Sequence, residues 1–189
     1  MPIQLTNICK SYGSPPTPVL TDVSLTFNEG ITCIMGASGI GKTTLINIIS
    51  GLVRHDSGHI TGLDGKKISM VFQEDRLLSW ETALTNVLFV TKPHKKNMAK
   101  ELLTQAGLAD SMHKKVHELS GGMKRRVCIC RALAAEYDVI ILDEPFKGLD
   151  SGTKPVIMDM VKKYTTGKTV ICITHDAHEA KALGEVVTL

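Results

Sequence analysis

Residues 31–44, ITCIMGASGIGKTT, join a short apolar run, a glycine-rich loop and the start of a helical segment. The loop at residues 36–43, GASGIGKT, matches the pattern GxxxxGK[ST]. In this pattern the glycines let successive backbone N–H groups face a polyphosphate, and the following helix directs the positive end of its dipole at the same charge. The order strand, loop, helix is the context that the pattern requires. The sequence therefore predicts a nucleotide-phosphate site on an α/β core.

Composition places the chain among ordinary globular proteins. It has 189 residues and 43% hydrophobic content, which is enough for one domain with a packed core. The 22 basic side chains exceed the 19 acidic ones only slightly, so the charge alone does not indicate a nucleic-acid partner, and none is expected. No run of about 18 apolar residues occurs, and the N-terminus lacks the features of a signal peptide. A role in transport would therefore need a pore from another chain.

The cysteines indicate a reducing, cytosolic compartment. They are odd in number and form no CxxC pair, so we interpret them as reduced, buried thiols. They are Cys9, Cys33, Cys128, Cys130 and Cys172.

Hydrophobic periodicity predicts a mixed fold. Residues 3–9 and 23–27 are expected to form an antiparallel strand pair, with residues 13–18 as a loop between them. Further buried strands of a parallel sheet are predicted at 31–35, 68–72, 139–142, 170–173 and 186–189. Helices are predicted at 43–50, 83–90, 98–106, 121–135 and 152–164. We therefore predict an α/β fold in which residues 1–74 and 136–189 form a core and residues 75–135 an inserted helical subdomain.

An acidic pair follows one of the buried strands. Asp143 ends the apolar run at 139–142, which is the usual place for a carboxylate that holds Mg²⁺ beside a phosphate loop. Glu144 comes next and could orient or deprotonate an attacking water. Without the glycine loop we would interpret this pair as the solvated end of a strand. With the loop we assign Lys42 to the β/γ-phosphates and Thr43 to Mg²⁺.

A second glycine motif, LSGGM at residues 119–123, precedes the acidic pair. Ser120 is predicted to cap a helix, and the glycines would expose backbone N–H groups as a second anion site. An ordinary N-cap would explain Ser120 but not two glycines in a helical first turn, where they cost stability. Residues 124–126, Lys-Arg-Arg, are interpreted as a solvated face.

The ordered set of motifs resembles the ATP-binding cassette family, whose ATPases power membrane transport. The resemblance runs from Tyr12 to the last strand and implies the fold of a P-loop NTPase with a parallel-rich sheet, an antiparallel edge and a helical insertion. It implies that Tyr12 stacks on adenine, that Gln73 touches Mg²⁺ and the attacking water, and that His175 contacts the γ-phosphate. Residues 148–150 resemble a dimer-contact loop, with Gly148 where a residue such as Ala is usual. Met123 stands where the family has Gln.

The resemblance also implies a way of working. Two copies would close around ATP, each binding the γ-phosphate of the other through its LSGG motif, and hydrolysis would open the homodimer. Residues 76–80, which include Trp80, have two open interpretations: they line a groove for a permease helix, or Leu77 and Leu78 are plain core of the helical subdomain. The motifs most resemble a subgroup that imports nitrate, sulfonate, taurine and related solutes. We therefore expect permease subunits, a solute-binding protein and a cytoplasmic location on the inner membrane face. We expect no cargo sensing from so short a C-terminal region.

Two rival interpretations share the glycine loop. A small-molecule kinase or GTPase is disfavoured by the LSGG cap and by His175, and the guanine-specific NKxD motif is absent. A non-transport relative acting on DNA or the ribosome would usually add a coiled coil, a zinc module or a second cassette, and none is evident.

The assignments together form one predicted site. The catalytic residues are Lys42, Gln73, Glu144 and His175. The predicted ATP-binding residues are Tyr12, Gly36, Ala37, Ser38, Gly39, Ile40, Gly41, Lys42, Thr43, Thr44, Ser120, Gly121 and Gly122. The predicted Mg²⁺ ligands are Thr43, Gln73 and Asp143.

Overall fold

The computed structural model describes residues 1–189 and contains two sheets and six α-helices. The strands are β1 (Ile3–Tyr12), β2 (Thr17–Phe27), β3 (Gly30–Met35), β4 (Ser57–Thr61), β5 (Ile68–Val71), β6 (Val139–Asp143), β7 (Thr169–Ile173) and β8 (Glu185–Thr188). The helices are α1 (Lys42–Ile49), α2 (Ala83–Leu88), α3 (Lys96–Gln105), α4 (Gly121–Ala134), α5 (Thr153–Tyr164) and α6 (Ala177–Leu183).

The larger sheet is parallel, with strand order β5-β6-β7-β3-β8. Every residue of β6 and β7 is buried, because helices or the second sheet cover both faces. The predicted parallel strands are confirmed, each to within one residue at either end. The α/β fold class is therefore confirmed.

The smaller sheet is antiparallel, with strand order β2-β1-β4. The predicted strand pair is present but longer than expected, since β1 continues to Tyr12, which pairs with Thr17 of β2. The predicted loop at residues 13–18 is therefore wrong in length, and only residues 13–16 form the turn. Strand β4 was not predicted because four of its five residues are polar or glycine, and its strand form comes from pairing with β1.

The side chains of the parallel strands point alternately to the two faces of the sheet, and they divide the core into two clusters. Ile140 faces a cluster of 31 buried residues formed mainly with helices α2 to α6. Ile141 faces a cluster of 14 buried residues formed with α1 and the antiparallel sheet. Successive strand side chains point to opposite faces, so the parallel sheet is the middle of three layers.

The segment 75–135 contains α2, α3 and α4 and no named strand. These three helices pack on one another and on the parallel sheet within the larger cluster. The chain has no helix with the length and apolar character needed to cross a membrane.

Candidate active site

A cavity of about 230 Å³ lies at the carboxyl ends of the central parallel strands. The loops that follow β3, β5, β6 and β7 all contribute to it, because the carboxyl ends of parallel strands meet at one edge of a sheet. Ten predicted site residues line it: Ser38, Gly39, Gly41, Lys42, Thr43, Thr44, Gln73, Asp143, Glu144 and His175.

The glycine loop joins β3 to α1 and has the chemistry of an anion cradle. Lys42 Nζ donates to the carbonyl oxygens of Gly36 at 2.9 Å and Ala37 at 2.8 Å, so the ammonium group is held beside the loop. The backbone N–H groups of Gly39, Gly41 and Lys42 donate to no other atom of the chain. Such N–H groups at a helix start fit the polyphosphate of a nucleotide.

Asp143 and Thr43 supply the oxygen atoms that a magnesium ion prefers. Asp143 is the last residue of β6 and is only 3% exposed. Burial, and then the charge of Glu144, raise the pKa of its carboxyl group. Thr43 is exposed in the first turn of α1 and lines the same cavity. A hard cation between these oxygens and phosphate oxygens would offset the cost of the buried carboxylate, so the residues present fit Mg²⁺.

Glu144 has an unusual backbone conformation and two side-chain partners. Its φ of +46° lies in the left-handed region that few non-glycine residues adopt, and its N–H donates to Ile173 O at 2.9 Å. Its Oε1 lies 3.1 Å from His175 Nε2, and its Oε2 accepts from Lys147 Nζ at 2.8 Å. Burial alone would raise the pKa of Glu144, but the hydrogen bond and charge of Lys147, and then the charge of His175, lower it below its ordinary value.

Several predicted site residues do not line this cavity. Tyr12 ends β1, is 44% exposed, and has Lys10 Nζ 5.2 Å from its ring centroid. Three other predicted residues belong to the glycine loop but do not line the cavity: Gly36, Ala37 and Ile40. The carbonyl groups of Gly36 and Ala37 accept hydrogen bonds from Lys42 Nζ.

The LSGG segment also lies outside the cavity. As predicted, Ser120 is the N-cap of α4, and its Oγ accepts from the Met123 N–H at 3.3 Å. A Cβ on Gly122 would come within 3.1 Å of Gly148 O, so the start of α4 sits against the loop 148–150.

Two residues beside the site were missed. The prediction that residues 124–126 form a solvated face is wrong for Arg125, whose side chain is 5% exposed and contacts the backbone beside Gln73 and Glu144. Helical spacing could have revealed it, since Arg125 shares a face of α4 with Cys128, Ile129 and Ala132, which are all buried. Lys147, three residues after Glu144, carried no sequence signal.

Comparison with known proteins agrees with this geometry. The family model described as ABC transporter matches residues 20–147. The taurine import ATP-binding protein TauB of Pseudomonas fluorescens is 39% identical over 194 residues, which is 94% of this chain and 73% of the relative. The bicarbonate transport ATP-binding protein CmpD of Synechocystis is 40% identical over 203 residues, which is 97% of this chain and 72% of the relative.

Solved structures agree as well. The dimeric structure of a bacterial ABC transporter cassette superposes with a TM-score of 0.89 at 33% identity, covering 99% of this chain and 94% of the other. A dimeric post-hydrolysis state of an ATP-binding cassette, bound to ADP and phosphate, superposes with a TM-score of 0.87 at 34% identity, with the same coverage. The cradle, the acidic pair and these similarities together show that the chain belongs to the ABC transporter family and is an ATP-binding, ATP-hydrolysing subunit.

Proposed function

We propose that this ATPase drives a separate membrane permease that imports a small solute such as nitrate, a sulfonate or taurine. The observation that carries the proposal is the similarity, over 94% and 97% of the chain, to ATP-binding proteins named for taurine import and bicarbonate transport. The permease would hold the chain on the cytoplasmic face of the membrane, and a solute-binding protein would deliver the cargo. Residues 75–135 would act as the moving helical subdomain, and residues 1–74 and 136–189 as the catalytic core.

Within one chain, each of the cavity residues would have its own role in ATP hydrolysis. Lys42 and the loop amides would bind the phosphates, while Thr43 and Asp143 would hold Mg²⁺, with Gln73 beside it. When bound, Mg²⁺ neutralises charge on the phosphate oxygens. Glu144 would orient the attacking water and accept its proton, and His175 would position the γ-phosphate. His175 and Lys147 each contact one carboxylate oxygen of Glu144, so an attacking water would share these oxygens with them.

The LSGG motif would serve the opposite copy in a homodimer. Ser120, Gly121 and Gly122 are absent from the cavity of their own chain, and Ser120 and Gly121 are exposed. A helix start with a hydroxyl cap and glycines is suited to bind the terminal phosphate of an ATP presented from outside. Tyr12, exposed at the end of β1, would stack on adenine.

An apolar surface after Gln73 would receive the permease. Trp80 is 75% exposed and Leu78 42% exposed, whereas Leu77 packs against the larger core cluster. A solvent-exposed Trp is a frequent anchor in protein interfaces. The open alternative that Leu77 and Leu78 are plain core therefore fits Leu77 but not Leu78, and Trp80 is still more exposed.

The test of the proposed function is the variant Glu144→Gln, which keeps the shape of the side chain and removes its charge. We expect it to bind ATP, to turn over about 10²–10⁴-fold more slowly, and to accumulate as a dimer in analytical ultracentrifugation with Mg-ATP. The permease for this test would be one encoded beside this gene, reconstituted in vesicles. Undiminished turnover would refute the role of Glu144, and monomers alone, even with permease, would refute the dimer.

A further inference from the structure

Arg125 connects the two backbone segments that carry Gln73 and Glu144. It lies in the second turn of α4, and all three guanidinium nitrogens donate to main-chain carbonyl groups. The acceptors at and just after the end of β6 are Glu144 O at 2.8 Å from Nη2, Pro145 O at 3.1 Å from Nε, and Asp143 O, also on Nη2. The acceptors after β5 are Phe72 O and Gln73 O, the latter at 3.3 Å, both on Nη1.

These carbonyls need such a donor because the β5–β6 ladder ends just before them. The last registered pair between these strands is Val71 with Leu142. Beyond it these two strands no longer pair with each other, and a buried carbonyl without a partner costs about 1–3 kcal/mol. A planar guanidinium has five N–H donors for these five carbonyls, whereas the ammonium of a lysine has three donors on one nitrogen and cannot satisfy all of them.

The backbone of Glu144 depends on this contact more than its neighbours do. A non-glycine residue at φ +46° is strained by about 1–3 kcal/mol and persists only when its surroundings hold it. Its N–H donates to Ile173 O of β7, and its carbonyl accepts from Arg125 at 2.8 Å and, less closely, from the Lys147 N–H at 3.2 Å. Removing Arg125 would leave this carbonyl with the longer bond from Lys147 only, so that the peptide could relax and move the carboxylate.

Arg125 also ties these segments to the start of α4. It follows the N-cap Ser120 by five residues, about one and a half helical turns. The only carboxylate in contact with its guanidinium is Asp75, 3.7 Å from Nη1, on the same segment as Gln73. A shift of α4 is therefore transmitted to both segments through one side chain.

We propose that Arg125 is a positioning residue for ATP hydrolysis, which sets Glu144 and Gln73 through their carbonyl groups and couples them to the start of α4. The proposal rests on the roles given above to Glu144 and Gln73. Arg125 touches neither the nucleotide cradle nor any cavity side chain, so it should affect turnover and not nucleotide binding.

The first test compares Arg125→Lys with Arg126→Lys. Arg126 is its neighbour on α4, but its guanidinium binds the carbonyls of Ala106 and Gly107 near the end of α3 and, at 3.3 Å, the carbonyl of Gly122 one turn back on α4, none of which lines the cavity. For Arg125→Lys we expect kcat to fall about 10- to 100-fold, the scale of a misplacement of about 1 Å, with KM and the Kd for ATP unchanged. Arg126→Lys should keep its kcat. Equal kcat values for the two folded variants would overturn the proposal.

The second test places Arg125→Lys in the Glu144→Gln background and measures single-turnover hydrolysis. If Arg125 acts through Glu144, the second substitution should cause little further loss. A full additional loss would refute the part of the proposal that concerns Glu144. If Glu144→Gln is slow while Arg125→Lys is normal, only this inference fails; if Glu144→Gln turns over normally, the proposed function fails first.

A third measurement needs no variant and applies if Arg125→Lys does not fold. Nitrogen-15 NMR of arginine side chains in the wild-type protein should show slow solvent exchange and slow rotation of the Arg125 Nη groups. Fast exchange and rotation, as for a solvated guanidinium, would overturn the proposal.

Discussion

Substitution of Gly41 by Ala should show that the antiparallel sheet shapes the phosphate cradle. Gly41 precedes α1 at φ +106°, and a Cβ there would lie 2.9 Å from Val19 O and 2.7 Å from Leu20 Cδ2, both on β2. Gly39, in the same loop at φ +81°, is the matched control, because a Cβ there would meet nothing within 4 Å.

The two substitutions share one cost and differ in another. Each forces an L-residue into a left-handed conformation, at about 1–2 kcal/mol. Each also lowers the entropy of the unfolded chain by the same amount, so that term cancels in the comparison. Only Gly41→Ala adds a clash with backbone, which by analogy with overpacked cores costs about 1–3 kcal/mol more.

Urea unfolding of the nucleotide-free protein, followed by circular dichroism, measures this difference. With a slope of about 2 kcal/mol per molar urea, the midpoint of Gly41→Ala should lie about 0.5–1.5 M below that of Gly39→Ala. Equal midpoints would refute the view that β2 presses on the cradle. Binding of ATP should be weakened more in Gly41→Ala, because its cradle must move.

Three further predictions concern single side chains in the site, beside it and on the proposed permease surface. Lys42→Ala should weaken ATP binding about 10- to 100-fold in titration calorimetry, through loss of a charge-assisted contact; unchanged affinity would count against the cradle. Lys147→Ala should raise basal ATP turnover by up to about fivefold, because an exposed ion pair that restrains Glu144 is worth at most about 1 kcal/mol; a slower variant would contradict this. Trp80→Ala should weaken permease binding at least about tenfold while leaving the ATP affinity of the isolated chain intact; loss of ATP binding would indicate a core role.

The parts of this fold that sequence could predict are those that local pattern determines. Strands β6 and β7 are continuous apolar runs because both faces are covered, and the glycine loop has one geometry wherever it follows a strand and precedes a helix. Strand β4 escaped prediction because SGHIT has no apolar alternation and becomes a strand only by pairing with β1, about 50 residues earlier.

Arg125 escaped prediction for a different reason. A basic run after a helix start is usually solvated, and the interpretation of residues 124–126 relied on their charge and not on the helical spacing of Arg125. Its burial is explained only by acceptors that lie 52 and 53 residues earlier and 18 to 20 residues later in the chain, and no local pattern contains them.

Strand order explains why four distant stretches of sequence form one site. The order β5-β6-β7-β3 places the residues that follow these strands side by side at one edge: Gln73, Glu144, His175 and the glycine loop. Neighbouring strands lie about 4.8 Å apart, so adjacent loops can exchange contacts such as that of Glu144 with His175. The ladder cannot extend beyond the strand ends, however, and the carbonyls there need other donors. Arg125 supplies these donors from α4. The helix that begins at the exposed N-cap Ser120 therefore also holds the two segments that carry Gln73 and Glu144.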